Sequence, residues 1–113
     1  MIHYHRDMDT ELRHAPQNGA GDVAMTALLP QLPPHLKLFK RVMLAPGDAI
    51  GLHTHVGESE IYLVLSGEPT VQDNGNEYPL HAGDCHCCLH GGMHGIYNAT
   101  KVPAEFLAII VTE

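Results

Sequence analysis

The sequence predicts an all-β sandwich or barrel made of short strands, with no convincing helix. Eight prolines and eleven glycines punctuate the 113 residues, which favours many short elements over long helices. In the clearest runs apolar and polar residues alternate with a period of two, the repeat of a half-buried strand. Two short candidate strands flank Asp73-Asn74-Gly75-Asn76. Asn-Gly between strands is the strongest short hairpin signal, because both central residues need positive φ.

Along the chain, residues 1–22 read as an N-terminal arm and residues 23–113 as the barrel of a single domain. Residues 1–19 look irregular; Asp7 to Leu12 has room for one helical turn before Pro16 and Gly19 stop it. Val23 to Leu29 is the first expected strand, followed by the rigid stretch Pro30-Gln31-Leu32-Pro33-Pro34. In the strand from Leu36 to Ala45, Leu36, Leu38, Val42 and Leu44 share one face, and Lys37, Phe39, Arg41 and Met43 share the other; alternation does not say which is inward. After the turn at Ala45-Pro46-Gly47-Asp48, the strand from Ala49 to His55 sets Ile50 and Leu52 opposite His53 and His55. Glu60 to Leu65 follows, then a turn at Ser66-Gly67-Glu68-Pro69. Thr70 to Gln72 and Glu77 to Leu80 form the hairpin. Short strands at Cys85 to Leu89 and Met93 to Tyr97 surround Gly91-Gly92, and Ala104 to Thr112 closes the chain. Gly47, Gly67 and Gly83 read as turn glycines.

The length suits one domain with a modest core. Hydrophobic residues make up 44% and charged residues 17% of the chain, so it should fold. Tryptophan is absent, which leaves aliphatic side chains to supply most of the core. The formal net charge of -7 and the lack of any basic run argue against nucleic acid and anionic membranes as partners. No segment approaches a membrane span and no secretory signal is visible. The three cysteines all fall within Cys85-His86-Cys87-Cys88. An odd, clustered set fits a reducing cytoplasm better than a disulfide framework.

The sharpest chemical signal is a set of three histidines and a glutamate. Side chains at i and i+2 of a strand point the same way, so His53 and His55 project together. Glu60 follows a short stretch, Val56-Gly57-Glu58-Ser59, that can double back to bring its carboxylate beside them. His94 arrives from a different strand as a fourth ligand. His53-Thr54-His55 alone would be read as polar surface; with Glu60 and His94 the set suits one divalent transition metal. Neutral imidazole and carboxylate without thiolate suits Fe, Mn, Ni, Co or Zn, and affinity order alone does not choose among them. A six-coordinate ion would keep two open positions, as a catalytic site needs and a closed structural site lacks.

These residues resemble a known family. Gly47, His53, His55, Glu60 and Gly67 match the first cupin motif, and Gly83, Gly91, His94 and Asn98 the second. Leu89 stands where the family usually has proline, a position that binds no metal. The stretch between the motifs, Glu68 to Ala82, is short, as in small microbial single-domain cupins. The resemblance implies a double-stranded β-helix (jelly-roll) barrel with the metal inside its mouth. It also implies a homodimer, with Val23 to Leu29 as the candidate for strand exchange.

Three further residues are candidates for the pocket. Glu60, Tyr62 and Val64 share a face, so Tyr62 either points into the pocket or packs between strands. Alternation splits the cysteine cluster, with Cys85 and Cys87 on one face and His86 and Cys88 on the other. One zinc cannot easily take ligands from both faces, and buried cysteine commonly acts as a small hydrophobe; the face carrying His86 and Cys88 is the one offered as pocket wall. His3, His5, His14, His35 and His81 read as surface residues.

Cupins include dioxygenases, decarboxylases, isomerases, lyases and non-catalytic binding modules, so fold alone does not fix activity. The resemblance implies a metal-dependent enzyme acting on a small oxygenated or anionic molecule. The alternative is a module that binds a sugar or effector without turnover. A redox or metal-buffering role for the cysteine cluster is a third reading. The acid on the lid of two-domain oxalate decarboxylases has no counterpart identified in this sequence.

Overall fold

A computed structural model describes all residues, 1–113. Ten strands form two antiparallel sheets: β1 (Thr10–His14), β2 (Asp22–Ala27), β3 (Leu36–Leu44), β4 (Ala49–Thr54), β5 (Glu58–Ser66), β6 (Thr70–Asp73), β7 (Asn76–Pro79), β8 (Cys85–Cys88), β9 (Met93–Tyr97) and β10 (Ala104–Thr112). The larger sheet runs β1-β2-β3-β10-β5-β8 and the smaller runs β4-β9-β6-β7. Consecutive strands change sheet at β3–β4, β4–β5, β5–β6, β7–β8, β8–β9 and β9–β10. That alternation wraps the chain into a jelly-roll barrel, as expected.

The inner faces of the two sheets supply the core. On β10 the buried residues are Ala104, Phe106, Ala108 and Ile110, each separated by an outward residue. Val23, Met25, Val42, Leu44, Ile50, Tyr62, Val64, Val71 and Ile96 join Phe106 and Ala108 in one cluster. The face of β3 bearing Val42 and Leu44 is therefore the inward one, and Phe39 and Met43 face out. Most of the core is aliphatic. Its two aromatics, Tyr62 and Phe106, meet edge to face at 4.9 Å between centroids.

The β6–β7 hairpin pairs Asp73 with Asn76 and places Asn74 and Gly75 at φ of 47° and 91°, the conformation the Asn-Gly pair predicts. Gly47, Gly67 and Gly83 all take positive φ. At Gly67 a Cβ would also lie 2.5 Å from the Pro103 carbonyl oxygen, so both backbone and space exclude a side chain there.

Two expectations fail. Residues 10–14 are not irregular and not a helical turn but strand β1, paired with β2 from Thr10↔Thr26 to His14↔Asp22. All five β1 side chains are exposed, so no buried face left an alternating signature in the sequence. The second failure is on β4. Ile50 pairs with Ile96 and His53 with His94, so three steps on β4 match two on β9. This bulge turns Ile50 and His53 to the same inner face and leaves Leu52 53% exposed. Strict alternation had set Ile50 opposite His53.

Candidate metal centre

The bulge begins at Gly51, which must be glycine. A Cβ there would collide with the Gln17 carbonyl oxygen, because the turn at Pro16–Asn18 packs directly on the strand. The Gly51 carbonyl in turn accepts a hydrogen bond from His53 Nδ1 at 2.7 Å. One local irregularity thus aims His53 inward and fixes its ring.

The other donors are placed by three different devices. His94 sits on β9 directly opposite His53. His55 lies just beyond β4, and its backbone is pinned to the turn before β9: His55 N donates to the Gly92 carbonyl at 3.2 Å and Gly91 N to the His55 carbonyl at 2.7 Å. Glu60 comes from β5 in the other sheet. Asn98 ties the loops behind the site together. Its side-chain amide donates to the carbonyls of Leu44 and Val102, while Gly47 N donates to its backbone carbonyl at 2.8 Å.

These devices bring the four expected residues to one point. Glu60 Oε1 lies 3.3, 3.0 and 2.9 Å from the Nε2 atoms of His53, His55 and His94. The Nε2 atoms of His55 and His94 are 3.1 Å apart. All four donor atoms lie within 4.8 Å of one another, and His55, Glu60 and His94 are buried. The three rings stand steeply to one another, at 79°, 61° and 70°.

This donor set fits a divalent ion. Neighbouring ligands on an octahedral ion with bonds near 2.1 Å are about 3.0 Å apart, close to the contacts seen. The outer ring nitrogens are also committed. His53 Nδ1 donates to a carbonyl, and His55 Nδ1 donates to Glu58 Oε2 at 2.6 Å. His94 Nδ1 lies 3.2 Å from His86 Nε2 and has the geometry to donate to it. Neutral rings with those protons outward present three Nε2 lone pairs and a carboxylate to the same small space. Such a group is satisfied by a cation. Burial would raise the Glu60 pKa, but with no ion bound, hydrogen bonds and charge from protonated histidines outweigh it and hold the carboxyl down at about 2; a bound cation would take the place of that positive charge. For His94, burial dominates and depresses its pKa. The donor that binds a cation as an anion is therefore already ionised.

A cavity of about 270 Å³ opens on the cluster. His53, His55, Glu60 and Tyr62 line it. Tyr62 also packs, stacked on His94 at 4.8 Å and 10°. Burial, then the Glu60 charge, pushes its pKa well up. His86 and Cys88 do not line this cavity. His86 stands behind His94, and Cys88 is 2% exposed with its thiol turned to the Leu89 carbonyl. The reason is that β8 is the sheet's edge, so its inward side chains meet the back of the site. Cys85 and Cys87 are exposed, contrary to the reading of the cluster as small buried hydrophobes. Of the five surface histidines, His3 is half-buried, bonded to the Leu28 carbonyl.

Several residues of the site had no motif to announce them. Glu58 orients His55 and is held by Lys37 Nζ at 2.6 Å. Arg13, Lys37 and Lys40 bring positive charge to the cavity lining. Lys40 did leave a signal: it interrupts the apolar row Leu36, Leu38, Val42, Leu44.

Comparison with known proteins gives matches over most of the chain. The family model described as a cupin domain matches residues 40–110. The oxalate-binding protein of Thermotoga maritima is 43% identical over 97 residues, covering 84% of this chain and 80% of that one. A crystal structure described as a predicted oxalate decarboxylase from Thermotoga maritima superposes with a TM-score of 0.94 at 36% identity, over 100% of both chains. The structure of KdgF from Halomonas sp. gives a TM-score of 0.83 at 17% identity, over 100% of this chain and 95% of that one, a likeness of fold alone.

Proposed function

The chain belongs to the cupin family, and we propose from that premise that it binds a small carboxylate of the oxalate class inside a metal-holding barrel. The observation that carries the reading is the meeting of three Nε2 lone pairs and one carboxylate at the floor of a cavity whose lining also holds Arg13, Lys37 and Lys40. A divalent cation held by His53, His55, Glu60 and His94 would supply a Lewis-acid centre able to take a carboxylate oxygen. Arg13, Lys37 and Lys40 set positive charge beside the cluster in a chain whose net charge is -7. The relatives described as oxalate-binding and as a predicted oxalate decarboxylase support the ligand class.

Binding without turnover is the reading favoured here. Decarboxylation of oxalate to formate and carbon dioxide needs a proton delivered to the carbon that loses its carboxylate. The only carboxylates lining the cavity are Glu58 and Glu60. Glu60 Oε1 is surrounded by the three imidazoles, and the two oxygens of Glu58 are taken by Lys37 and His55. Neither is free as an acid. Calorimetric titration of protein loaded with Mn(II), and separately with Zn(II), tests both parts. One equivalent of oxalate bound with no formate produced supports the reading. Formate production makes the protein an enzyme, and a loaded protein that binds no carboxylate refutes the ligand class.

The outer face of the larger sheet supports pairing of two copies. Phe39, Ile61, Leu63, Leu107 and Ile109 form neighbouring cross-strand positions on β3, β10 and β5, all turned away from the core. A homodimer that covers this face would remove that surface from water.

A further inference from the structure

Lys40 is out of keeping with its neighbours. The inward positions of β3 run Leu38, Lys40, Val42, Leu44, and Lys40 is only partly exposed. The cross-strand register shows why a lysine fits. Lys40 pairs with Ala108 of β10, and Ala108 pairs with Tyr62 of β5. The adjacent row is Leu38, Ile110 and Glu60. Alanine is the smallest side chain in either row, so it leaves open the space between Lys40 and Tyr62. Those strands are two spacings apart, about 10 Å, and both residues line the cavity. The lysine stem can lie along the apolar wall while its ammonium reaches a polar partner.

In this structure the ammonium turns the other way across the sheet, to a carboxylate two strands off on β1. Lys40 Nζ donates to Glu11 Oε1 at 3.1 Å, and Arg13 Nη2 donates to the same oxygen at 3.1 Å. Glu11 and Arg13 pair with Met25 and Val23, both buried, which places them on the inner side of edge strand β1. Two cations therefore share one carboxylate oxygen, leaving positive charge in excess. The Glu11 side chain is 53% exposed, so it can leave without unpacking the core. Lys37, the remaining lining cation, is engaged by Glu58.

We infer that Lys40, with Arg13 beside it, receives the second anionic group of a short dicarboxylate whose first carboxylate lies at the His–Glu cluster, and that Glu11 holds this position until such a ligand arrives. The inference rests on the carboxylate-binding reading above and adds to it a specificity-determining residue. Recognition of a second anionic group separates dicarboxylates from monocarboxylates of similar size, because the latter leave the Lys40–Glu11 pair in place.

The test is calorimetric titration of Mn(II)-loaded wild type, Lys40→Met, Lys40→Arg and Glu11→Gln with oxalate, malonate, succinate and acetate, with metal content measured for each protein. A charge-assisted bond of this kind predicts a loss of roughly tenfold or more in dicarboxylate affinity for Lys40→Met. Metal content should match wild type, and acetate affinity should fall far less than dicarboxylate affinity. Lys40→Arg should restore most of the affinity, and Glu11→Gln should raise it by removing the competitor. Lys40→Met with wild-type preference for dicarboxylates overturns the role of Lys40, and Glu11→Gln with unchanged or weaker affinity overturns the role of Glu11. Wild type that binds no carboxylate at all overturns this inference and the function on which it rests; wild type that binds while Lys40→Met is unaffected overturns this inference alone.

Discussion

His94 shows how much one side chain must satisfy at once. Its Nε2 faces Glu60, its Nδ1 faces His86, and its ring lies flat against Tyr62. Each contact removes one freedom of the ring, so the lone pair is aimed before any ion arrives. His94→Ala and His53→Ala should each lose most bound metal by elemental analysis, while exposed His35→Ala should bind as wild type. Removing the partner rather than the ligand should do less. His86→Ala should weaken metal affinity by about 10- to 100-fold, the usual range for loss of an orienting partner, measured by competition with a chromophoric chelator. Unchanged affinity would mean that His86 does not orient the ligand. That His53, His55, Glu60 and His94 would cluster was legible in the sequence because their spacing is sparse and chemically specific. His86 and Glu58 were not legible as orienting groups, because a hydrogen bond to the far side of a ring leaves no spacing pattern.

At the scale of the element, β4 is the most informative strand. Its bulge reverses the facing of His53 relative to Ile50, and the close packing of Gly51 on the Pro16–Asn18 turn maintains it. Gly51→Ala should force that turn away from the strand. Overpacking of this kind costs about 1–3 kcal/mol, read as a lower urea midpoint, and it should weaken metal binding through His53 as well. Loss of stability with full metal affinity would show that the bulge and the ligand are independent. The strands themselves were largely legible: β2 to β10 fall within a few residues of the runs bounded by Gly, Pro and Asn. β1 was not, because an edge strand exposed on all five residues has main-chain pairing as its only signature. The bulge was hidden for a related reason, since alternation assumes a register that only the partner strand fixes.

For the whole molecule, the site joins the two sheets. His53 and His94 belong to one and Glu60 to the other, so a cation at their meeting point would link the barrel's halves. Chelation with EDTA should lower Tm and reloading should restore it, because an ion bound only by the native state stabilises by mass action. An unchanged Tm would mean that the halves are held by the core alone. The outer apolar face gives a second prediction at this scale. Ile109→Glu should shift the sedimentation coefficient from dimer to monomer without loss of bound metal; a dimer that persists would place the interface elsewhere. The family resemblance carried the jelly roll at this scale, while composition reached only as far as an all-β barrel.

The most direct measurement is anomalous diffraction at the metal absorption edge from crystals of the purified protein. One anomalous peak is expected at bonding distance from Nε2 of His53, His55 and His94 and from a carboxylate oxygen of Glu60. No peak there in protein shown by elemental analysis to carry a transition metal, or a peak at Cys85 and Cys87 instead, would contradict the four-donor site.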